Sequence, residues 1–268
     1  MGDAKPGFLR QKEYGRIKQA LCGGERMSME KSEALYMVVP AYNEAENIRK
    51  VIEEWYPVVE RTGKDSRLVV IDDGSRDDTY RIMLECAKNR AQFVPLTKKN
   101  SGHGATVLYG YHYALDKGAD YIFQTDSDGQ TLPEEFGAFW DMREKYDMVI
   151  GHRNKREDGF SRIFVTKVLK AVIRLCFHVS VVDANTPYRL MKASALKEDI
   201  GLIPKDFNLS NVLISVIYEK KGRSVKYIPI TFRPRQGGKN SINFKKIIPI
   251  GKQAVKDFIR INRTLNQI

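Results

Sequence analysis

Residues 121–130 read YIFQTDSDGQ, an apolar stretch that runs directly into Asp126 and Asp128 and then into Gly129 and Gln130. In an extended chain, side chains at i and i+2 point to the same side, so this spacing turns both carboxylates toward one point where a strand leaves a sheet. Oxygen ligands of this kind suit a hard divalent cation, Mg²⁺ or Mn²⁺, which commonly completes its coordination with substrate phosphates. The plain alternative is a solvated turn, because Asp, Ser and Gly are ordinary turn residues. Choosing between the two requires the elements that position the run.

Strand and helix signals alternate along the chain. Residues 34–39 (ALYMVV) form a strand candidate, and residues 44–61 carry Ile48, Val51, Ile52, Trp55 and Val58 at helical spacing. Residues 67–71 (RLVVI) are a second strand, ended by Asp72, Asp73, Gly74 and Ser75, with Asp77, Asp78 and Thr79 placed to cap a helix over about 80–89. A short strand over 93–96, a glycine-bearing loop and helix over 101–117, a fourth strand over 121–125 and a further one over 147–150 complete the pattern. This rhythm predicts an α/β fold with a mainly parallel, Rossmann-like sheet flanked by helices. Ligands of such sheets sit at the carboxyl ends of the strands. There the loop Pro40, Ala41, Tyr42, Asn43, Glu44 would meet the Asp72–Asp73 loop and the D-x-D loop, and three polar loops on one rim make a nucleotide site. The Gly102-His103-Gly104 loop is no dinucleotide fingerprint, because Val107 stands where Gly or Ala is needed and the loop follows the third strand. No Walker loop is present either. His103 either faces a phosphate or is simply exposed.

Composition narrows the class further. With 42% hydrophobic and 29% charged residues the chain reads as globular. Cys22, Cys86 and Cys176 are far apart, which argues against a zinc site or disulfide framework and for a reducing cytoplasm. No run approaches the roughly 18 apolar residues of a spanning helix, since residues 163–182 are interrupted by Lys167, Lys170 and Arg174. Residues 1–10 contain no secretory apolar core. The formal charge is +12, and residues 233–268 hold nine Lys or Arg against Asp257 alone. In that stretch Ile247, Ile248, Ile250, Val255, Phe258, Ile259, Ile261 and Leu265 interleave with the cations as on an amphipathic helix. It either lies on an anionic membrane surface or packs on its own domain with a basic outer face. Nucleic acid is excluded as a partner, because the tail offers only Phe244 and Phe258 for base stacking.

The ordered motifs PAYNEAENI, VVIDDGS, NSGHGA and QTDSDGQ resemble family 2 of the GT-A glycosyltransferases, and the later stretches resemble its polyprenyl-phosphate sugar transferases, the dolichol-phosphate mannose synthase-like branch. The resemblance covers residues 35–244. It implies that Pro40, Ala41, Tyr42, Glu44, Asp72 and Asp73 hold the nucleobase and ribose. It implies further that Asp126 lies near the nucleotide and that Asp128 and Gln130 are the metal ligands. Arg153 falls where the family has a phosphate-binding arginine, and Arg162 and Lys167 where cations meet the donor diphosphate and lipid phosphate. Residues 183–189 look like the family's D-x-x-x-x-[FY]-R segment beneath the acceptor, with Arg189 either facing phosphate or paired structurally with Asp183. Arg235 and Lys239 lie in what resembles its basic active-site loop.

These parts imply a donor that is a UDP- or GDP-sugar, and the family resemblance implies inversion at its anomeric carbon. Asp126, Asp128, Arg153, Lys167 and Asp183 are the residues expected to carry catalysis. A polyprenyl-phosphate acceptor is already anionic near neutral pH and needs no general base. A glycan hydroxyl, as in capsule or cell-wall synthesis, would need one, and Asp183 is the candidate. A non-catalytic membrane-docking or binding subunit is the reading from another class. The expected organisation is an N-terminal extension over 1–32, a GT-A domain over 33–232, and a basic loop with an amphipathic segment over 233–268. The expected location is cytoplasmic, peripheral at the inner face of the membrane. In the extension Phe8, Leu9, Ile17 and Leu21 would line a short helix ended by Gly23 and Gly24.

Overall fold

The computed structural model describes residues 33–153, 160–234 and 255–263, with only the backbone for residues 153 and 160–167. The expected short helix in the extension, the tail residues Ile247, Ile248, Ile250 and Leu265, and Arg235 and Lys239 lie outside the described residues. So do the side chains of Arg153, Arg162 and Lys167.

Strand β1 (Leu35–Ala41) is buried at every position, as expected of a central strand in a parallel sheet covered on both faces. It pairs in parallel with β2 (Arg67–Asp72) and β4 (Tyr121–Gln124), and β2 pairs in parallel with β3 (Phe93–Thr97). Helices α1 (Ile48–Thr62), α2 (Thr79–Ala87) and α3 (His103–Asp116) connect these strands. Beyond β4 come the short α4 (Phe136–Trp140), β5 (Met148–Arg153) and α5 (Phe160–Phe177). They are followed by β6 (Arg189–Lys192), α6 (Ala193–Asp199), α7 (Ser210–Lys220) and β7 (Val225–Ile230). The seven strands lie in the order β3-β2-β1-β4-β6-β5-β7.

The fold agrees with a mainly parallel sheet, with one local exception: β6 runs antiparallel to both β4 and β5. That insertion brings Arg189, the first residue of β6, level with Gln124, the last of β4. Strand β5 also runs further than expected, to Arg153, and pairs there with Ile230.

Alternation along the strands splits the core into two layers. Val38, Ile71, Ile122 and Ile150 face α3 and α7, whereas Met37, Val39 and Phe123 face α1 and α4. On the second face Trp55, Phe123, Phe139 and Tyr188 form an aromatic knot, with ring centroids 4.7–5.9 Å apart along its contacts. Gly110 lets α3 sit directly on the sheet, since a Cβ there would come within 2.4 Å of Val38 Cγ1. In the helical segment over 255–263, Phe258 and Ile261 are buried, while Lys256, Ile259, Arg260 and Arg263 are exposed. Phe258 packs against Phe177 and Phe207, so this part of the tail is a packed helix with a basic outer side.

Candidate active site

Parallel pairing brings the carboxyl ends of β1, β2, β3 and β4 to one edge, with Ala41, Asp72 and Thr97 in register across it. The loops that leave this edge are tied to one another by side-chain bonds to backbone. Ser127 Oγ donates to Pro40 O at 2.8 Å, and Thr125 and Thr131 share a 2.7 Å hydroxyl contact. In the β1–α1 loop, Asn43 adopts φ 54°, a left-handed conformation asparagine tolerates. Its Oδ1 accepts from the Arg76 amide at 2.8 Å, and its own amide donates to Ser75 Oγ at 2.9 Å.

The D-x-D run lies just beyond β4, in a bend over 127–129. Asp126, Asp128 and Gln130 are each half-buried, and the residues between and beside them, Thr125, Ser127, Gly129 and Thr131, are buried. The three side chains therefore share the open side of the rim while their neighbours anchor it. Asp128 Oδ1 accepts from the Gln130 amide at 3.1 Å. Gln130 Nε2 donates to Arg233 O at 3.2 Å, so its amide oxygen is not the atom that makes this bond.

Asp126 Oδ1 lies 3.0 Å from His103 Nε2, at the first turn of α3. Partial burial opposes charge on that imidazole, but the carboxylates of Asp126, Asp128 and Asp73 outweigh it and raise the histidine pKa.

The two aspartates after β2 are placed differently from the expectation. Asp73 is 3% exposed. Its Oδ1 accepts from the Ser101 amide at 2.9 Å and from Lys98 Nζ, and its Oδ2 accepts from the Gly102 amide at 2.9 Å. Burial pushes its pKa upward, yet Lys98, the Ser101 amide and Thr106 more than offset this, and the carboxyl stays below its ordinary range. Asp73 thus clamps the loop that carries His103, with both carboxylate oxygens engaged. Asp72, 2% exposed, accepts from the Ser75 amide at 3.1 Å and from Thr97 Oγ1 at 2.7 Å. A base or ribose would reach it only if that turn opened. Glu44 is also buried, with Oε2 accepting from Asn47 Nδ2 at 2.7 Å. Tyr42, 44% exposed, is the residue of this loop that presents a ring to solvent.

Arg189 also bonds within the fold. It is fully buried, and its guanidinium donates to the carbonyls of Ala184, Thr186 and Asn211 at 2.7–3.2 Å. Those bonds tie β6 to the 184–186 segment and to α7. Burial lowers its pKa, and Tyr111 and Asp183 act on it electrostatically in the opposite sense. Among the described residues no carboxylate forms an ion pair with it. Asp183 itself is half-buried just before that segment.

Arg233 opens the stretch expected to be the basic active-site loop, though no role was expected of it singly. Its amide donates to Gln130 O at 2.9 Å, its Nε donates to Gly129 O at 2.7 Å, and its Nη2 pairs with Glu54. This strap over the D-x-D-x-Q turn joins positions 104 and 179 residues apart, a separation no local pattern reveals.

Among the described residues no cluster of three or more His, Cys, Asp or Glu side chains could cage a metal. Two carboxylates and one amide oxygen on the open side of a turn do fit a hard cation that takes its remaining ligands from a bound diphosphate.

A polar rim of this kind on a mainly parallel sheet, with the D-x-D at the end of the central β4, is the arrangement of the GT-A glycosyltransferases. Solved structures of glucosyl-3-phosphoglycerate synthase from Mycobacterium tuberculosis share the fold. The one in complex with Mn²⁺ and UDP-glucose superposes with a TM-score of 0.61 at 16% identity, over 96% of this chain and 84% of that one. The glycosyl transferase family 2 model matches residues 36–199, and the chain belongs to that family: it is a glycosyltransferase. Curated relatives include the polyprenol monophosphomannose synthase of Mycolicibacterium smegmatis, 25% identical over 84% of this chain and 87% of that one. The undecaprenyl-phosphate 4-deoxy-4-formamido-L-arabinose transferase of Edwardsiella ictaluri is 24% identical over 79% of this chain, a match that spans 64% of that relative.

Proposed function

We propose that this enzyme transfers a sugar from a nucleotide-diphosphate sugar to a polyprenyl phosphate at a membrane surface, with the help of Mg²⁺ or Mn²⁺. The observation that carries the reading is that Asp126, Asp128 and Gln130, in the loop that follows β4, are each half-buried between buried neighbours. The relatives, a polyprenol monophosphomannose synthase and an undecaprenyl-phosphate 4-deoxy-4-formamido-L-arabinose transferase, support the acceptor class.

In this reading Tyr42 packs on the base, and Asp126, steadied by His103, faces the nucleotide. Asp128 and the Gln130 amide oxygen would hold the cation. When bound, the cation supplies positive charge to the departing diphosphate. Arg153, Arg162 and Lys167 add charge-assisted contacts to the donor and acceptor phosphates, and Arg235 and Lys239 extend them from the basic loop. An oxygen of the acceptor phosphate forms the new bond to the anomeric carbon as the bond from that carbon to the donor diphosphate breaks. The nucleoside diphosphate leaves with the electron pair, and the configuration inverts. No proton need be removed from a phosphate acceptor, so Asp183 has no obligatory role as base.

The test is product analysis by mass spectrometry with UDP- and GDP-sugars, polyprenyl phosphate and Mn²⁺. The expected product is a polyprenyl-phosphate sugar, lost on chelation and in Asp128→Ala. Transfer to a glycan hydroxyl with none to the lipid phosphate would refute the acceptor, and turnover that survives Asp128→Ala would refute the site. Among the described residues no helix is long and apolar enough to cross a membrane, and we place the enzyme peripherally, at the inner face.

A further inference from the structure

Behind the rim, inside the apolar layer under α3 and α7, helix and strand share a polar contact. Strand β4 reads YIFQ and is buried throughout. Ile122 belongs to that layer, and alternation puts Gln124 on the same side. There Gln124 Oε1 accepts from the Tyr111 hydroxyl at 2.5 Å, with both side chains fully buried. Burial pushes the Tyr111 pKa up, against the opposing influence of Arg189, so the hydroxyl keeps the proton it donates. Gln124 Nε2 has no partner among the described residues. Half of this amide is thus left without a bond among Val38, Val107, Leu108 and Ile122, where an apolar side chain of the same length would bury without that cost. Packing does not account for a glutamine here, whereas its bond to Tyr111 has a consequence for the site.

That bond closes a frame beneath the D-x-D turn. Helix α3 begins at His103, whose Nε2 lies 3.0 Å from Asp126 Oδ1, and about two turns further on it reaches Tyr111. Strand β4 ends at Gln124, just before Thr125 and Asp126. Helix and strand are therefore joined twice, at the mouth of the site by His103 and Asp126 and in the core by Tyr111 and Gln124. The helix is firmly seated: a Cβ on Gly110 would come within 2.4 Å of Val38 Cγ1, and one on Gly104 within 2.3 Å of Asn208 O. The link from Gln124 to Asp126 is stiff as well. Thr125 is buried, its amide donates to Val38 O at 3.2 Å, and its hydroxyl meets that of Thr131.

We propose that Gln124 is a positioning residue of the transfer reaction: with Tyr111 it fixes the end of β4 against α3 and so sets Asp126 where His103 can hold it. This rests on the reading of Asp126 as the carboxylate that faces the donor nucleotide. Gln124 acts from the core, through its neighbours, and touches no substrate.

The experiment measures Tm, and Kd for UDP and for GDP, each with Mn²⁺, by isothermal titration calorimetry. The proteins are wild type, Asp126→Asn, His103→Ala, and Gln124→Met and Tyr111→Phe, the last two each with and without His103→Ala. For the nucleotide that wild type binds, Gln124→Met and Tyr111→Phe should each weaken binding about fivefold, the worth of one net hydrogen bond. In the His103→Ala background each should add less than about twofold, because the pair through which they act is already gone. A merely structural glutamine would cost the same factor in both backgrounds, and that result overturns the proposal. So does wild-type affinity in Gln124→Met and Tyr111→Phe when Asp126→Asn binds weakly, an outcome that leaves the donor reading standing. If Asp126→Asn keeps wild-type affinity, or wild type binds neither nucleotide, the donor reading itself fails and the positioning role falls with it. Should the Tm show that Gln124→Met does not fold, Tyr111→Phe, which removes a single oxygen atom, carries the same comparison.

Discussion

Replacing Asp73 with Asn tests whether this carboxylate builds the site or touches the ligand. Its two oxygens serve the Ser101 and Gly102 amides, each at 2.9 Å, and the Lys98 ammonium, which is itself only 15% exposed. An asparagine keeps one acceptor oxygen and turns an NH₂ toward a donor, and it strips Lys98 of its counter-charge. Hydrogen bonds to a charged group are worth about 1.5–3 kcal/mol each, and removing one partner of a buried pair costs about 3–5 kcal/mol. Because Lys98 retains some access to water, the lower end applies, about 3 kcal/mol. For a domain of this size that is a Tm fall of about 6–12 °C.

The carboxyl pKa is lowered in the folded state. Its contribution is therefore fully present above the unfolded value, about 3.9, and is lost as the pH falls through the lower folded value. Thermal denaturation of both proteins from neutral to acid pH should show the Tm gap closing below about pH 4. Asp77 and Asp147, also lowered by hydrogen bonds, remain in both proteins and cancel in the difference. A Tm change under about 2 °C together with collapse of nucleotide-sugar affinity would refute the clamp and restore Asp73 as a ligand contact.

Other perturbations probe neighbouring parts. His103→Ala should raise KM for the donor about fivefold, as expected for losing one partly exposed hydrogen bond to a carboxylate. His103→Gln should recover most of that loss, and equal loss in both variants would refute the positioning role. Gly104→Ala would place a Cβ 2.3 Å from Asn208 O and 2.4 Å from Phe207 O, which cannot yield as a side chain would. The expected cost in denaturant unfolding is about 2 kcal/mol or more. Arg189→Met should lower stability by about 3 kcal/mol through the carbonyls it orphans, with KM for the acceptor unchanged in the folded fraction. A raised acceptor KM at unchanged stability would place that guanidinium in the binding site after all.

The residues differ in how far local sequence reveals their placement, and the reason is physical. LYMVVPA and RLVVID form central strands because continuous apolar runs flanked by turn residues have few other ways to bury both faces. That Asp126, Asp128 and Gln130 are half-buried between buried neighbours matches the two-residue spacing, whereas the bend that carries them is held by tertiary ties. Strand β6, four residues reading RLMK, carries a charge at each end and no periodicity. Its position between β4 and β5 depends on partners far off in sequence. The carboxylates after β2 mislead for a related reason: as a sequence, Asp72-Asp73 is an exposed polar turn. Its burial is imposed by Thr97, Lys98, Ser101 and Gly102, whose loop folds over it. Type and spacing report what a side chain can do, whereas its actual partner is a tertiary fact.

Arg233 shows how far that tertiary dependence extends. The family model ends at residue 199, before the strand that carries this arginine to the rim. Strand β7 pairs in parallel with β5 from Val225 to Ile230, so the chain leaves the sheet at the same edge as Arg153. Thr231 donates its amide to the Glu135 carboxylate there, and Arg233 then crosses to Gly129, Gln130 and Glu54. The turn that presents Gln130 is thus held from one side by Ser127 on Pro40 and from the other by a residue outside the matched stretch. A fragment ending near residue 199 would retain the D-x-D-x-Q sequence and lose one of the two ties that orient it. Its donor half is defined by residues 36–199 in type but by the whole described chain in geometry.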